Sequence, residues 1–294
     1  MLAIVIPYYK ITFFDETLRS LSSQTNLDFK VYIGDDASPE NPSELLKKYE
    51  NKFNFIYKKF EDNLGGISLV KQWERCIKLT SNESWLMILG DDDVLSENFV
   101  ETFYKKKESF QNIYNVVRFS VVKINNNSIP ISERFLNEEI ESSKKILFNN
   151  KRSSLSEYIF TTNKINEIRF KDFPLAWWSD VLAVLEFSNF DKIYSINESY
   201  VNVRISEISI SGSLHFEQKK EQASYLFYNY LLTSKINYFN RNERDFLLDK
   251  ISKRYLNNRK NIKLFFKISS TYFKNGKFIK YVEFLYRIMK SIFK

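Results

Sequence analysis

A single cysteine and a single histidine in 294 residues exclude much of the usual chemistry of proteins. Cys76 alone cannot build a disulfide framework within the chain, which fits a reducing compartment. It falls in the helical pattern Trp73, Cys76, Ile77, where a small core residue is expected and not a nucleophile. His215 alone is too little for a histidine-based zinc site or a histidine triad, and it is expected on the surface. Met1–Pro7 lacks a basic leader, and no apolar run reaches the length of a membrane span, so a cytoplasmic protein is expected. Glycine is scarce as well: of six in the chain, four (Gly34, Gly65, Gly66 and Gly90) stand where strands are expected to give way to helices. Chemistry in such a chain must rest on carboxylates.

Carboxylates are what the sequence offers. The segment Trp85–Leu89 is apolar with no helical period, as in a strand buried on both faces, and Gly90 then turns the backbone into Asp91, Asp92 and Asp93. A helix capped by Ser96 is expected next. Three adjacent carboxylates repel one another, and a divalent cation is the usual means of holding them together at the carboxyl end of a strand. The plainer alternative is a solvated acidic turn.

The same alternation recurs from the start of the chain. Leu2–Ile6 reads as a buried strand ending at Pro7, followed by a helix over about 13–24. Phe29–Gly34 is a second strand running into Asp35 and Asp36. Asn41 and Pro42 open a short helix, 54–58 is a third strand, and Asn63–Gly66 leads into a helix reaching about Leu79. Strands alternating with helices at this spacing predict a parallel sheet covered on both faces. Further strands are expected over 114–123 and 193–205. Ser154 and Glu157 form a capping-box pattern for a helix through Phe160, and an apolar helix is expected to start near Asp180. From about Glu217 the pattern is helical.

Taken in order, Val5-Ile6-Pro7-Tyr8-Tyr9, Gly34-Asp35-Asp36-Ala37-Ser38, Asn63-Leu64-Gly65, Trp73-Glu74-Arg75-Cys76, Leu89-Gly90-Asp91-Asp92-Asp93, Trp178-Ser179-Asp180 and Arg204-Ile205-Ser206 resemble a family-two glycosyltransferase with the GT-A fold. The resemblance covers roughly the first 215 residues, and an ordered set of motifs is far more specific than any member of it. It implies a catalytic domain over 1–215, with a Rossmann-like, mostly parallel α/β sheet, and a basic, aromatic-rich helical extension over 216–294.

That resemblance implies an inverting transfer of a hexose or N-acetylhexosamine from a UDP-sugar to a glycan or lipid-linked saccharide, as in capsule or O-antigen synthesis. Asp36 would accept from the uracil ring N–H, with Pro7 and Tyr9 lining the base pocket and Lys71 near the phosphates. Asp92 and Asp93 would bind Mn²⁺ or Mg²⁺, and Asp91 would face the sugar. Arg204 would face the diphosphate, and Ser206 stands where many relatives carry a metal-binding histidine. Asp180 would be the base that takes the acceptor's proton, and Trp177 and Trp178 would offer a platform for the acceptor ring. A helix cap is the plainer role for Asp180, and core packing for the tryptophans.

The formal charge of +8 is uneven. Residues 250–294 hold 13 Lys and Arg against one acid, Glu283, leaving 31 basic and 35 acidic residues elsewhere. A basic nucleic-acid binder would explain the charge without chemistry, but a slightly acidic motif region argues for no nucleic-acid partner. A non-catalytic GT-A-like protein is a further alternative, against which Asp36, Asp92 and Asp180 argue. The tail pattern, with Lys280, Glu283, Arg287 and Lys290 along one helical face, suits either an anionic membrane surface, with peripheral attachment, or a homo-oligomer contact.

Overall fold

A computed structural model describes residues 1–148, 154–206, 216–257 and 261–292. It divides into two compact units, Met1–Asp172 with Ser179–Leu214, and Phe173–Trp178 with His215–Lys294. His215, Arg259, Lys260 and Lys294 lie outside the described residues.

The first unit runs β1 (Leu2–Tyr8), α1 (Phe14–Ser22), β2 (Phe29–Asp35), α2 (Ser43–Lys47), β3 (Phe55–Lys59), α3 (Leu69–Ile77), β4 (Trp85–Ile88), β5 (Val94–Leu95), α4 (Phe99–Phe110), β6 (Val116–Ile124), β7 (Ile140–Ser142), α5 (Lys145–Phe148), β8 (Tyr158–Thr161), α6 (Thr162–Ile168), α7 (Ser179–Phe187) and β9 (Lys192–Arg204). The strands form one sheet in the order β3-β2-β1-β4-β8-β6-β9-β5, with β7 also on β9. β1, β2, β3 and β4 are mutually parallel, as are β6 and β9. Within the parallel half, β1, β2 and β4 read as largely apolar runs because both faces are covered, whereas β3 lies at the sheet edge and is half-exposed. Phe14, Leu18 and Leu21 of α1, spaced four and three, pack there with Phe99 and Phe103 of α4, and the Trp85 ring meets Phe103 and Phe110 edge-on. Desolvating these side chains is the main stabilising term, at roughly 1.5–3 kcal/mol for each large apolar residue fully buried.

Two expectations change on meeting the structure. The Ser154–Glu157 box does form, with the Glu157 carboxylate accepting from Ser154 N–H at 2.9 Å, but it caps one 3-10 turn and not a helix. Tyr158, Ile159 and Phe160 are fully buried, and they continue as β8, antiparallel between β4 and β6. An apolar β-rich run gains more by filling that gap in the sheet than by extending the turn. Ser96 likewise does not open α4. Val94 and Leu95 pair with β9 first, Ser96 N–H donates to Tyr200 O at 3.0 Å, and Asn98 stands at the helix start.

The second unit is helical: α8 (Glu217–Ser234), α9 (Arg241–Asn257), α10 (Ile262–Lys274) and α11 (Phe278–Ile292). Phe227, Leu231, Leu247, Leu248, Ile251, Ile268, Tyr272 and Phe284 are among its buried apolar residues. An Arg254–Glu221 pair at 2.7 Å joins α9 to α8.

Candidate active site

The loops at the carboxyl ends of β1, β2 and β4 are tied together by hydrogen bonds to one another. Asp91 Oδ2 accepts from the backbone N–H of both Tyr9 and Lys10, each at 2.8 Å, so the acidic turn fixes the loop after β1. Tyr8 O accepts from Asp36 N–H at 3.0 Å, and Tyr9 O accepts from Ser38 Oγ at 2.6 Å, which fixes the loop after β2 to the same place. Pro7 sits in register with Gly34, and the Tyr9 side chain is exposed at this edge. Asp91, expected to face a sugar, has one carboxylate oxygen committed to this internal tie.

The neighbouring carboxylates Asp35 and Asp36 do different work. Asp35 is fully buried, accepting from Ser38 N–H at 2.7 Å and Tyr57 O–H at 2.5 Å. Asp36 is also buried and accepts from Leu64 N–H at 2.8 Å, Gly65 N–H at 2.9 Å and the Arg75 guanidinium. Burial pushes the Asp36 carboxyl above its ordinary range, while these N–H donors and the arginine charge work in the other direction. A Cβ on residue 65 would lie 2.4 Å from Asp36 Oδ2, so the absence of a side chain there is what lets the backbone N–H reach the carboxylate. Arg75 is itself held by Asp62 at 2.6 Å and lies 4.1 Å from the Phe60 ring centroid. Lys71, the residue expected near phosphates, is exposed on α3, and it is Arg75 that reaches Asp36.

Asp91, Asp92 and Asp93 divide sharply. Asp93 faces inward: Oδ1 accepts from Arg204 N–H at 2.9 Å and Oδ2 from Ser156 Oγ at 2.5 Å, and the residue is buried. Each oxygen of this residue, expected as a metal ligand, is thus engaged by a donor of the fold. Arg204, expected to face the diphosphate, is likewise engaged by the fold. Its guanidinium is buried and donates to Asp92 O (3.0 Å), Asn125 O (2.8 Å), Asn126 O (3.3 Å), Glu16 Oε2 (2.9 Å) and Ser128 Oγ (3.0 Å). Those contacts use all five of its N–H donors and leave none for a diphosphate. Asp92 is only half-buried, and no other described residue donates a hydrogen bond to its carboxylate.

All three carboxyls are pushed up, to about 6 for Asp91, about 7 for Asp92 and about 6 for Asp93. Burial is the largest cause in each case, followed at Asp92 by the charge of Asp93. A positive ion at Asp92 would relieve that penalty. Among the described residues no three Asp, Glu, His or Cys side chains converge to hold a metal. The donor set fits a cation carried by one carboxylate, with phosphate oxygens and water completing its shell, as is common for Mg²⁺.

Asp180 lies in the first turn of α7, half-buried. Contacts run from Asp36 to the residue before Asp180: Leu64 and Gly65 bind Asp36, Ser68 of the same loop caps α3 and donates to Asp172 Oδ2 at 2.8 Å, and Ser179 Oγ donates to Lys171 O at 2.7 Å. Trp177 and Trp178 belong to the second unit. The Trp178 ring stacks on Phe227 at 4.9 Å and 7°, and its N–H donates to Ser224 Oγ at 2.8 Å, so this indole packs in the helical core. The Lys220 ammonium lies 5.2 Å from the Trp177 ring centroid. Leu175, Ala176 and Trp178 all have φ between 52° and 76°, a costly concentration of left-handed backbone immediately before Asp180.

Ser156 was missed by sequence reading. Its hydroxyl donates to Asp93 and accepts from Gly90 N–H at 3.1 Å, and its only local signal was membership of the Ser154–Glu157 box.

Residues 3–171 match the sequence profile of glycosyl transferase family 2. Over 107 residues the chain is 24% identical to the glycosyltransferase GlyG of Streptococcus pneumoniae, covering 36% of this chain and 35% of that protein. Over 119 residues it is 28% identical to the abequosyltransferase RfbV of Salmonella typhimurium, covering 39% and 34%. The matched part thus spans about a third of the length of these relatives. In three dimensions the chain is similar to residues 1–349 of TarS from Staphylococcus aureus, solved in complex with UDP-GlcNAc, with a TM-score of 0.66, 18% identity and coverage of 87% of this chain and 72% of that one. At that identity the likeness is one of fold. The profile spans more than half of the sequence, and it holds the loops that carry Tyr9, Asp36 and Asp92: the chain belongs to glycosyl transferase family 2.

Proposed function

We propose that the chain transfers a hexose or N-acetylhexosamine from a UDP-sugar, with inversion, to a hydroxyl of a growing surface glycan. The observation that carries this reading is the division within the acidic turn after β4: Asp91 and Asp93 accept hydrogen bonds that brace the fold, and the half-buried Asp92 carboxylate accepts none from another described residue. Ligands of open α/β sheets bind at the carboxyl ends of the strands. TarS, similar in fold, was solved with UDP-GlcNAc and with UDP, which favours a uridine nucleotide.

In this reading Pro7 and Tyr9 line the base pocket, and the Asp36 carboxylate, oriented by Gly65 and Arg75, accepts the base N–H. Asp92 is the protein ligand for the cation. A bound Mn²⁺ or Mg²⁺ would neutralise charge on the leaving diphosphate. Asp180 takes the proton of the attacking acceptor hydroxyl, a step of general-base catalysis that speeds such reactions by roughly 10²–10⁴-fold. A single displacement at the anomeric carbon inverts its configuration. The arginine beneath the turn, Arg204, positions Asp92 through its carbonyl and touches no ligand.

The test is nucleotide release across UDP-, GDP- and dTDP-sugars, with and without Mn²⁺. UDP release that needs the cation is expected. Absence of release from every donor, together with binding of duplex DNA, would replace this reading with that of a nucleic-acid binder.

A further inference from the structure

The sequence pattern gives α11 two faces, and the structure gives it three. Phe284 is buried against Tyr255, Phe265 and Tyr272, with Leu285 and Ile288 half-buried beside it. A charged row, Lys280, Glu283, Arg287 and Lys290, runs along one flank at the spacing of one helical face. Along the other flank Phe278, Ile279, Val282, Tyr286 and Met289 stand 49–77% exposed. On α10, Ile262, Phe266 and Phe273 are each more than half exposed, and Lys263, Lys267 and Lys274 follow them one position later in every case. Single exposed apolar side chains are ordinary, but rows of them on two consecutive helices mark a surface that meets something.

The charges decide what it meets. Lys277 and Arg287 are paired with Asp245 (2.6 Å) and Asp249 (3.1 Å), and Lys280 with Glu283 (3.2 Å). Lys263, Lys267, Lys274 and Lys290 are exposed and have no carboxylate partner among the described residues. A second copy docking by the same face would bring these unpaired lysines against themselves, since a two-fold interface is self-complementary. An anionic lipid surface takes both halves of the pattern: aromatic and aliphatic side chains enter the boundary between headgroups and acyl chains, and lysines beside them meet lipid phosphates. Among the described residues no helix is long and apolar enough to cross a membrane, so attachment would be in the interfacial plane.

We infer that α10 and α11 form a surface for reversible binding to anionic membranes. This goes beyond the transfer reaction and stands whether or not that reading holds. The test is co-sedimentation of the full chain with phosphatidylglycerol and with phosphatidylcholine vesicles at low and high NaCl. The chain is expected to pellet with phosphatidylglycerol at low salt and to be released in large part by high salt. Lys263→Glu with Lys267→Glu should weaken binding roughly tenfold or more. Phe266→Ser with Ile279→Ser should weaken it while leaving the unfolding midpoint unchanged, because both side chains are already exposed in the free protein. A full chain that stays in the supernatant with phosphatidylglycerol at low salt overturns the inference. So does a dimer in sedimentation equilibrium that the Phe266 and Ile279 substitutions dissolve, which would show that these rows are covered by a second copy.

Discussion

Arg204 donates its backbone N–H to Asp93 Oδ1 at 2.9 Å, while its side chain Nε–H reaches the Asp92 carbonyl at 3.0 Å. One residue at the end of β9 therefore holds both the buried carboxylate of Asp93 and the backbone of Asp92. The acidic turn is held from below by groups of the fold itself.

Arg204→Met should then cost about 2–4 kcal/mol of stability, because it strands Glu16 and several buried carbonyls at once. Arg204→Lys keeps the charge but offers three donors for five positions, and should recover only part of the loss. Urea midpoints of the three proteins measure this. Equal midpoints for the wild-type protein and Arg204→Met would show that the buried network contributes nothing.

Asp92→Asn should stabilise the cation-free protein at pH 8 and leave it unable to bind UDP through Mn²⁺. The sign follows from linkage: with the folded carboxyl raised to about 7, the folded state holds more protons than the unfolded state from about pH 4 to 7. Stability associated with this group is complete at low pH and is lost as pH rises through 7. The amide avoids that loss, a gain on the order of 1 kcal/mol once solvent screening is allowed for, or about 2 °C in Tm. Thermal melts should show the gain at pH 8 and none at pH 4. A variant that melts lower than wild type at pH 8 contradicts this account of Asp92.

Asp180→Asn separates the roles of the two ends of the site. It is expected to keep UDP affinity within a few fold while abolishing transfer, since a base toward the acceptor does not touch the nucleotide. Calorimetric titration of UDP with Mn²⁺ into this variant and into Asp92→Asn distinguishes them. Equal loss of UDP binding in both means that Asp180 is not the base.

Much of the fold was legible locally. Trp85–Leu89 and Leu2–Ile6 announce buried parallel strands because residues covered on both faces need no alternation, and the structure buries them all. β8 was hidden because a genuine capping signal at Ser154 precedes it, and only the gap between β4 and β6 tells Tyr158–Thr161 to extend. The division among Asp91, Asp92 and Asp93 could not be read at all. Its causes lie at Tyr9, Ser156 and Arg204, more than 60 residues away along the chain, where no period or spacing reaches. Arg75, by contrast, stood within the matched motif and needed only the geometry of α3 to be assigned to Asp36.

Cys76 is fully buried, its thiol is pushed up to about 12 by burial, and its sulfur sits where a side chain on residue 34 would need to be. Thiolate, the reactive form, is thus vanishingly scarce at neutral pH. The native protein consequently behaves toward thiol reagents as a cysteine-free background. A cysteine introduced at an exposed position, Ile279 for instance, can carry a fluorophore or spin label as the single labelled site, with the natural residue left in place to pack α3 against β2.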